Sequence, residues 1–119
     1  MGALKKRILC VDDQQDAVVL VAMIIQGCEI VGANSKAEAI RKATSERFDL
    51  YLLDYHLPDG TGLELCLLIR VFDQHTPIFF CTGTSSITLK QIQIAGGQKL
   101  IRKGETFVDE LRTAVETIS

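Results

Sequence analysis

The sequence predicts a doubly wound α/β domain: a five-stranded parallel sheet with five helices packed on its two faces. Three observations lead there. Five short apolar runs recur along the 119 residues, with segments long enough for helices between them. Three of those runs are continuous rather than alternating, as strands covered on both faces read. A parallel strand pair needs a crossover of roughly a dozen residues, usually a helix, and the intervals supply it. The length suits one domain, taken as residues 1–119. With 47% apolar and 24% charged residues, the chain can build an ordinary globular core.

The expected strands are Arg7–Val11, Glu29–Gly32, Leu50–Leu53, Ile78–Cys81 and Leu100–Ile101. The second and fifth are short and flanked by polar residues, as edge strands would be. The first helix, Gln14–Gln26, is ambiguous by composition, because Ala17-Val18-Val19-Leu20-Val21 favours a strand as much as a helix. The crossover requirement decides for helix, and Gly27 stands where a helix stops. Ala17, Leu20, Val21 and Ile24 are spaced to face the sheet; Val18, Ala22 and Ile25 fall on another face, beside Val19 and Met23. One helix cannot bury every face in one domain, so a partner or neighbouring domain is expected to cover the remainder.

The second helix, Ser35–Arg47, opens on Ser35 with Glu38 three residues on, a capping-box spacing, and carries Ala39, Ile40 and Ala43 as its apolar stripe. The third, Gly62–Phe72, shows Leu63, Leu67 and Ile69 and ends near Asp73 and Pro77. The fourth, Ser86–Ile94, is weakly marked and is stopped by Gly96-Gly97. The fifth, Glu105–Ile118, aligns Phe107, Leu111, Val115 and Ile118 on one face.

Composition excludes several function classes. The net charge of -2 and the lack of a basic stripe speak against direct nucleic-acid binding. The longest apolar run, Ala17–Ile25, is far below the roughly 20 residues of a membrane span. The basic start, Met1 to Arg7, leads into an apolar stretch that ends at Asp12-Asp13 without a small-residue cleavage site, so export is not expected. Cys10, Cys28, Cys66 and Cys81 lack Cys-x-x-Cys spacing and read as reduced thiols of a cytoplasmic protein. With His56 and His75 they make no zinc-like cluster.

The chemistry gathers at strand ends, where sites of such sheets lie. Asp12 and Asp13 follow the first strand, Asp54 the third, Thr82 the fourth and Lys103 the fifth. Three carboxylates in one cleft repel one another unless a cation compensates. Oxygen-only donors favour a hard cation, and Mg²⁺ suits a site of few carboxylates and a phosphate oxygen, with Mn²⁺ as the alternative. A carboxylate is a competent nucleophile for phosphoryl transfer, with a hydroxyl and an ammonium available to the phosphoryl oxygens.

Five segments carry a resemblance: Ile8-Leu9-Cys10-Val11-Asp12-Asp13, Asp49-Leu50-Tyr51-Leu52-Leu53-Asp54, Leu57-Pro58-Asp59-Gly60-Thr61-Gly62, Phe80-Cys81-Thr82-Gly83 and Leu100-Ile101-Arg102-Lys103. In this order and spacing the chain resembles the receiver domain of bacterial two-component response regulators over essentially its whole length. The resemblance implies a flavodoxin-like sheet of order 2-1-3-4-5. It makes Asp54 the phosphoacceptor, Asp13 a direct metal ligand, Asp12 an acid acting largely through metal-bound water, and the backbone carbonyl of His56 a further ligand. Thr82 becomes the switch hydroxyl and Lys103 the phosphoryl-pairing lysine. It also implies a histidine kinase or phosphotransfer protein as donor, a downstream effector protein or effector domain as recipient of the signal, and self-dephosphorylation rather than enzymatic turnover. The chain would be a single-domain regulator or relay carrier, or one domain of a longer protein.

Two positions depart from that pattern. Leu100 stands three before the lysine, where the family usually has an aromatic that turns inward on activation. Gly104 follows the lysine in place of proline, so a trans bond and an altered loop are expected. Gly83 keeps access beside Thr82 open. The His56 side chain either tunes the phosphoryl lifetime or is a plain loop residue. Two other readings remain: a docking module that rarely switches, and a metal-dependent phosphatase. The second would want an acid two residues after its nucleophile, where His56 stands.

Overall fold

A computed structural model describes residues 5–118. Met1–Leu4 and Ser119 lie outside the described residues, and with them the first part of the basic start and the two ends of the 1–119 domain. The elements are β1 (Lys6–Val11), α1 (Gln15–Ile24), β2 (Cys28–Ala33), α2 (Lys36–Ser45), β3 (Leu50–Leu53), β4 (His56–Leu57), β5 (Gly60–Thr61), α3 (Gly62–Phe72), β6 (Ile78–Thr82), α4 (Leu89–Ala95), β7 (Lys99–Arg102) and α5 (Phe107–Glu116). Five of the strands form a parallel sheet of order β2-β1-β3-β6-β7. Counted along the sheet strands alone, this is the expected 2-1-3-4-5 arrangement. The short strands β4 and β5 form a separate antiparallel hairpin that the apolar runs did not foretell. Its signal was Pro58-Asp59-Gly60, a turn sequence with a mechanism of its own.

The core divides by the two-residue period of a strand. Leu9, Val11, Tyr51, Leu53, Ile78 and Phe80 point to the face covered by α2, α3 and α4. Ile8, Cys10, Leu50, Leu52, Phe79 and Cys81 point to the face covered by α1 and α5. β3 and β6 are buried at every position, which is why their sequences are continuous apolar runs.

The helices show where pattern reading falls short. In α1, Val21, Ile24 and Ile25 are buried and Val18 packs against the core, while Leu20 is 47% exposed beside Val19 and Met23. The expected inward set was therefore rotated: Leu20 belongs outside, and Val18 and Ile25 inside. Gly27, with φ +87°, lies two residues past the Ile25 cap. In α2, the Ser35 hydroxyl accepts from the Glu38 N–H, but Glu38 accepts from the Asn34 N–H, so the reciprocal half of the expected box is displaced by one residue. Asp59 adds a cap from the hairpin, its two oxygens accepting from the N–H groups of Lys36 and Ala37. That capping holds the Asp59 carboxyl below the ordinary range.

In α3 the buried stripe is Leu65, Cys66 and Ile69, and the expected stripe residue Leu67 is 56% exposed. Thr61 and Glu64 make a complete capping box at its start. The fourth helix begins later than expected, at Leu89, because Thr88 and Gln91 cap it, and it ends at Gly96 in the left-handed conformation. α5 likewise starts at Phe107 and buries Phe107, Leu111 and Ala114. No helix among the described residues is long and apolar enough to cross a membrane.

Candidate functional site

The register brings the strand ends together. β1 pairs with β3 through Val11↔Leu53, so Asp12 and Asp54 emerge side by side. The Asp12 N–H donates to Ala33 O and the Asp54 N–H to Val11 O, which fixes both backbones to neighbouring strands. Asp12 is 5% exposed, whereas Asp13, one residue on, is exposed. Carboxylate oxygens of Asp12, Asp13 and Asp54 all lie within 4.8 Å of one another. β6 pairs with β7 through Thr82↔Arg102, and the Lys103 N–H donates to Thr82 O. The Lys103 ammonium then reaches back across the sheet edge, 2.7 Å from Asp12 Oδ2 and 3.5 Å from Asp54 Oδ2.

Lys103 illustrates the electrostatics. Burial works against its charge, but the hydrogen bond to Asp12 and the fields of Asp54 and Asp12 outweigh it, and its pKa stands above the ordinary lysine value. One ammonium cannot neutralise three carboxylates. The arrangement therefore carries surplus negative charge, in a donor set of oxygens alone, with Asp13 open to solvent. That fits a hard, partly hydrated divalent cation. The nearby thiols do not alter this. Burial pushes Cys10 up to about 12 and Cys81 higher still, so both stay protonated.

The other residues singled out from sequence are placed as follows. Thr82 ends β6, is 1% exposed, and its hydroxyl accepts one long bond, 3.3 Å, from the Thr84 N–H. Asp54 Oδ1 accepts from the Tyr55 N–H at 2.7 Å, leaving Oδ2 toward Lys103. His56 opens the hairpin with its side chain exposed, its ring edge-on to Tyr55 at 4.8 Å between centroids. The bond after Lys103 is trans, there being no cis peptide among the described residues, and a Cβ on Gly104 would meet nothing within 4 Å. A cavity of about 210 Å³ runs beside the cluster, lined by Asp12, Asp54 and Lys103 at one end and by Ala17, Leu20 and Phe107 among its apolar walls.

Two supporting residues were quoted within the resemblance segments without a role of their own. Gly62 permits the start of α3 to sit on the acceptor, since a Cβ there would lie 2.2 Å from the Asp54 carbonyl oxygen. Arg102 donates to the carbonyls of Thr84 and Ile87, bracing the loop that follows Thr82. Gly62 was legible as part of Pro58-Asp59-Gly60-Thr61-Gly62, but Arg102 carries no local signal, because its partners are 15 and 18 residues away.

Fold and site together define a phosphoryl-signalling class of domain, with an acidic cluster at the carboxyl ends of a doubly wound sheet, a lysine on it and a threonine ending the neighbouring strand. Comparison with known proteins places it within that class. The sequence profile of the response regulator receiver domain matches residues 8–116, and the chain belongs to that family. It is 36% identical over 105 residues to the CAI-1 autoinducer sensor kinase/phosphatase CqsS of Vibrio cholerae, covering 83% of this chain and 15% of that protein. It is 35% identical over 82 residues to the alkaline phosphatase synthesis transcriptional regulatory protein PhoP of Bacillus subtilis, covering 67% of this chain and 34% of that one. The chain thus spans only a part of these relatives. Among solved structures it resembles a CheY-like receiver domain from Methanospirillum hungatei (TM-score 0.84, 29% identity, 95% of this chain and 93% of that). It also resembles the chemotaxis response regulator CheY4 of Vibrio cholerae (TM-score 0.85, 25% identity, 95% and 98%). The protein is a receiver domain of two-component signalling, homologous to the phosphoacceptor domains of response regulators and sensor kinases.

Proposed function

We propose that Asp54 is the phosphoacceptor, that Asp12, Asp13, Asp54 and the His56 backbone carbonyl hold Mg²⁺, and that Thr82 and Lys103 bind the phosphoryl oxygens. The observation that carries this reading is the gathering of three carboxylates within 4.8 Å under a lysine that touches two of them. Bound Mg²⁺ would supply charge neutralisation for the transferring group.

Asp54 Oδ2, the oxygen not committed to the Tyr55 N–H, attacks the phosphorus of a phosphohistidine on the donor protein. The P–N bond breaks as the P–O bond forms, and the released imidazole takes its proton from solvent. Lys103 exchanges its carboxylate contacts for a phosphoryl oxygen. Water later attacks the same phosphorus, returning inorganic phosphate and the free carboxylate, so the domain acts as a timed signalling element rather than a turnover enzyme. The donor, a histidine kinase or phosphotransfer protein, docks over the exposed Val19, Leu20 and Met23 of α1, whose Leu20 borders the cavity beside Asp54.

The signal leaves through Arg102. When the Thr82 hydroxyl turns to the phosphoryl group it abandons the Thr84 N–H, and the loop whose carbonyls Arg102 holds must shift with it. This gives a route to α4 and β7, and to an effector there, that needs no aromatic at Leu100. The setting is cytoplasmic, in keeping with the free thiols.

Intact-protein mass after incubation with acetyl phosphate tests the core of the proposal. One added phosphoryl group that requires both Mg²⁺ and Asp54 is expected. If neither acetyl phosphate nor a panel of phosphohistidine donors modifies the protein, it is a docking module instead.

A further inference from the structure

The outer face of α3 exposes four large apolar side chains. Leu67 is 56% exposed, Leu68 44%, Val71 79% and Phe72 44%. They fall at i, i+1, i+4 and i+5, a single stripe along the helix. Contiguous apolar stripes of this kind mark interaction surfaces. The phosphoryl chemistry has no use for this one, which lies on the sheet face opposite α1.

The one cation within the helix has been removed from the stripe. Arg70 folds back, donating to the carbonyls of Gly96, Asp73 and Thr76. No charge therefore interrupts the surface from Leu67 to Phe72. Polar residues stand at its two ends: exposed Glu64 in the first turn, whose Oε1 accepts from the Thr61 N–H and lies 3.7 Å from the Lys36 ammonium, and exposed Gln74 and His75 just past the C-terminus.

We infer that α3 is a homodimerisation helix, packing antiparallel against α3 of a second copy of this chain. The stripe is self-complementary under a two-fold axis, as an isologous interface must be. With the axis between Ile69 and Arg70, Leu67 faces Phe72 of the second copy and Leu68 faces Val71. The same pairing brings Glu64, at the N-terminal end of one helix, toward His75 at the C-terminal end of the other. Antiparallel helix dipoles add to the fit. The acceptor is mechanically close, since α3 begins at Gly62 against the Asp54 carbonyl.

Sedimentation equilibrium across micromolar to millimolar protein tests this. A reversible dimer is expected. Val71→Glu, at the most exposed position of the stripe, should weaken it by about 100-fold or more without loss of helical circular dichroism. His75→Glu, which sets like charges together, should weaken it, and His75→Lys should tighten it by a few fold. The pair Leu68→Cys with Val71→Cys should form a covalent dimer under mild oxidation where wild type does not. A protein that stays monomeric throughout, or a dimer indifferent to Val71→Glu, overturns the inference. Neither result touches the phosphorylation reading, which rests on the carboxylate cluster at the strand ends.

Discussion

The two ends of the sheet use the same kinds of charged residue to opposite effect. At the amino end Asp73, Asp49 and Arg7 are all matched. Asp73 accepts from the N–H groups of His75 and Thr76 and from the Tyr51 hydroxyl; Asp49 accepts from the Arg7 N–H. Arg7 pairs with Glu46 and Glu29, and its guanidinium lies over the Phe48 ring. At the carboxyl end Asp12, Asp13 and Asp54 share one ammonium, and the Thr82 hydroxyl has a single long bond. Matched charge fastens loops to the fold. Unmatched charge, held rigidly by backbone bonds, is poised for a ligand. A residue's role here follows from its excess of partners or its lack of them, not from its type.

The comparison breaks most completely at Asp54. Asp54→Asn should abolish phosphorylation outright, read as no mass gain with acetyl phosphate and Mg²⁺, while leaving the fold intact. Asp13→Asn should weaken Mg²⁺ binding by roughly tenfold or more, measured calorimetrically. It should also raise the stability of the metal-free protein slightly, by about 1 kcal/mol or less, because it relieves like-charge repulsion. A lower denaturation midpoint for Asp13→Asn would mean that the cluster is not strained by its own charge.

Arg102 joins the two kinds of chemistry, being a cation bonded to two backbone carbonyls and adjoining the unmatched site. Arg102→Ala should keep phosphorylation but speed amide exchange through residues 84–88 by roughly tenfold, the loss of two hydrogen bonds to backbone. It should also mute the change that phosphorylation produces in α4 and β7. Arg102→Lys, which can satisfy only one carbonyl at a time, should fall between. An unchanged phosphorylation response in Arg102→Ala would put the output elsewhere.

The acidic cluster, the parallel strands, the four crossover helices and the final helix were legible in the sequence, because parallel strands announce themselves as apolar runs and the site hangs from their ends; the sheet order came from the family resemblance. Side-chain direction on the helices was less so. Leu67 reads as core by composition and lies outside, and Leu20 does the same, because α1 and α3 are apolar on more faces than the sheet can cover. With no polar face to orient a helix, periodicity alone does not choose the buried side. The hairpin was masked by its strands of only two residues each. Arg102 could not be read at all, since its partners are set by how the sheet edge folds over.

The smallest expected effect lies at the matched end and concerns pH. Burial opposes the charge on Asp73, but the Thr76 and His75 bonds and the Tyr51 hydroxyl outweigh it and hold its pKa at about 2, below the ordinary 3.8. A carboxyl whose folded pKa is depressed stabilises the fold fully above its unfolded value and loses that contribution as pH falls through the folded one. Asp73→Asn should therefore lower stability by about 1 kcal/mol at pH 7, a figure kept small because the group is partly solvated. The gap between wild type and variant should hold down to about pH 5 and narrow as pH falls below about 4 toward 2. Urea midpoints at pH 7, 5, 4 and 3 read it directly. A gap unchanged from pH 7 to 3 would mean that the Asp73 bonds work equally well without charge. The contrast between the two ends would then be one of geometry alone.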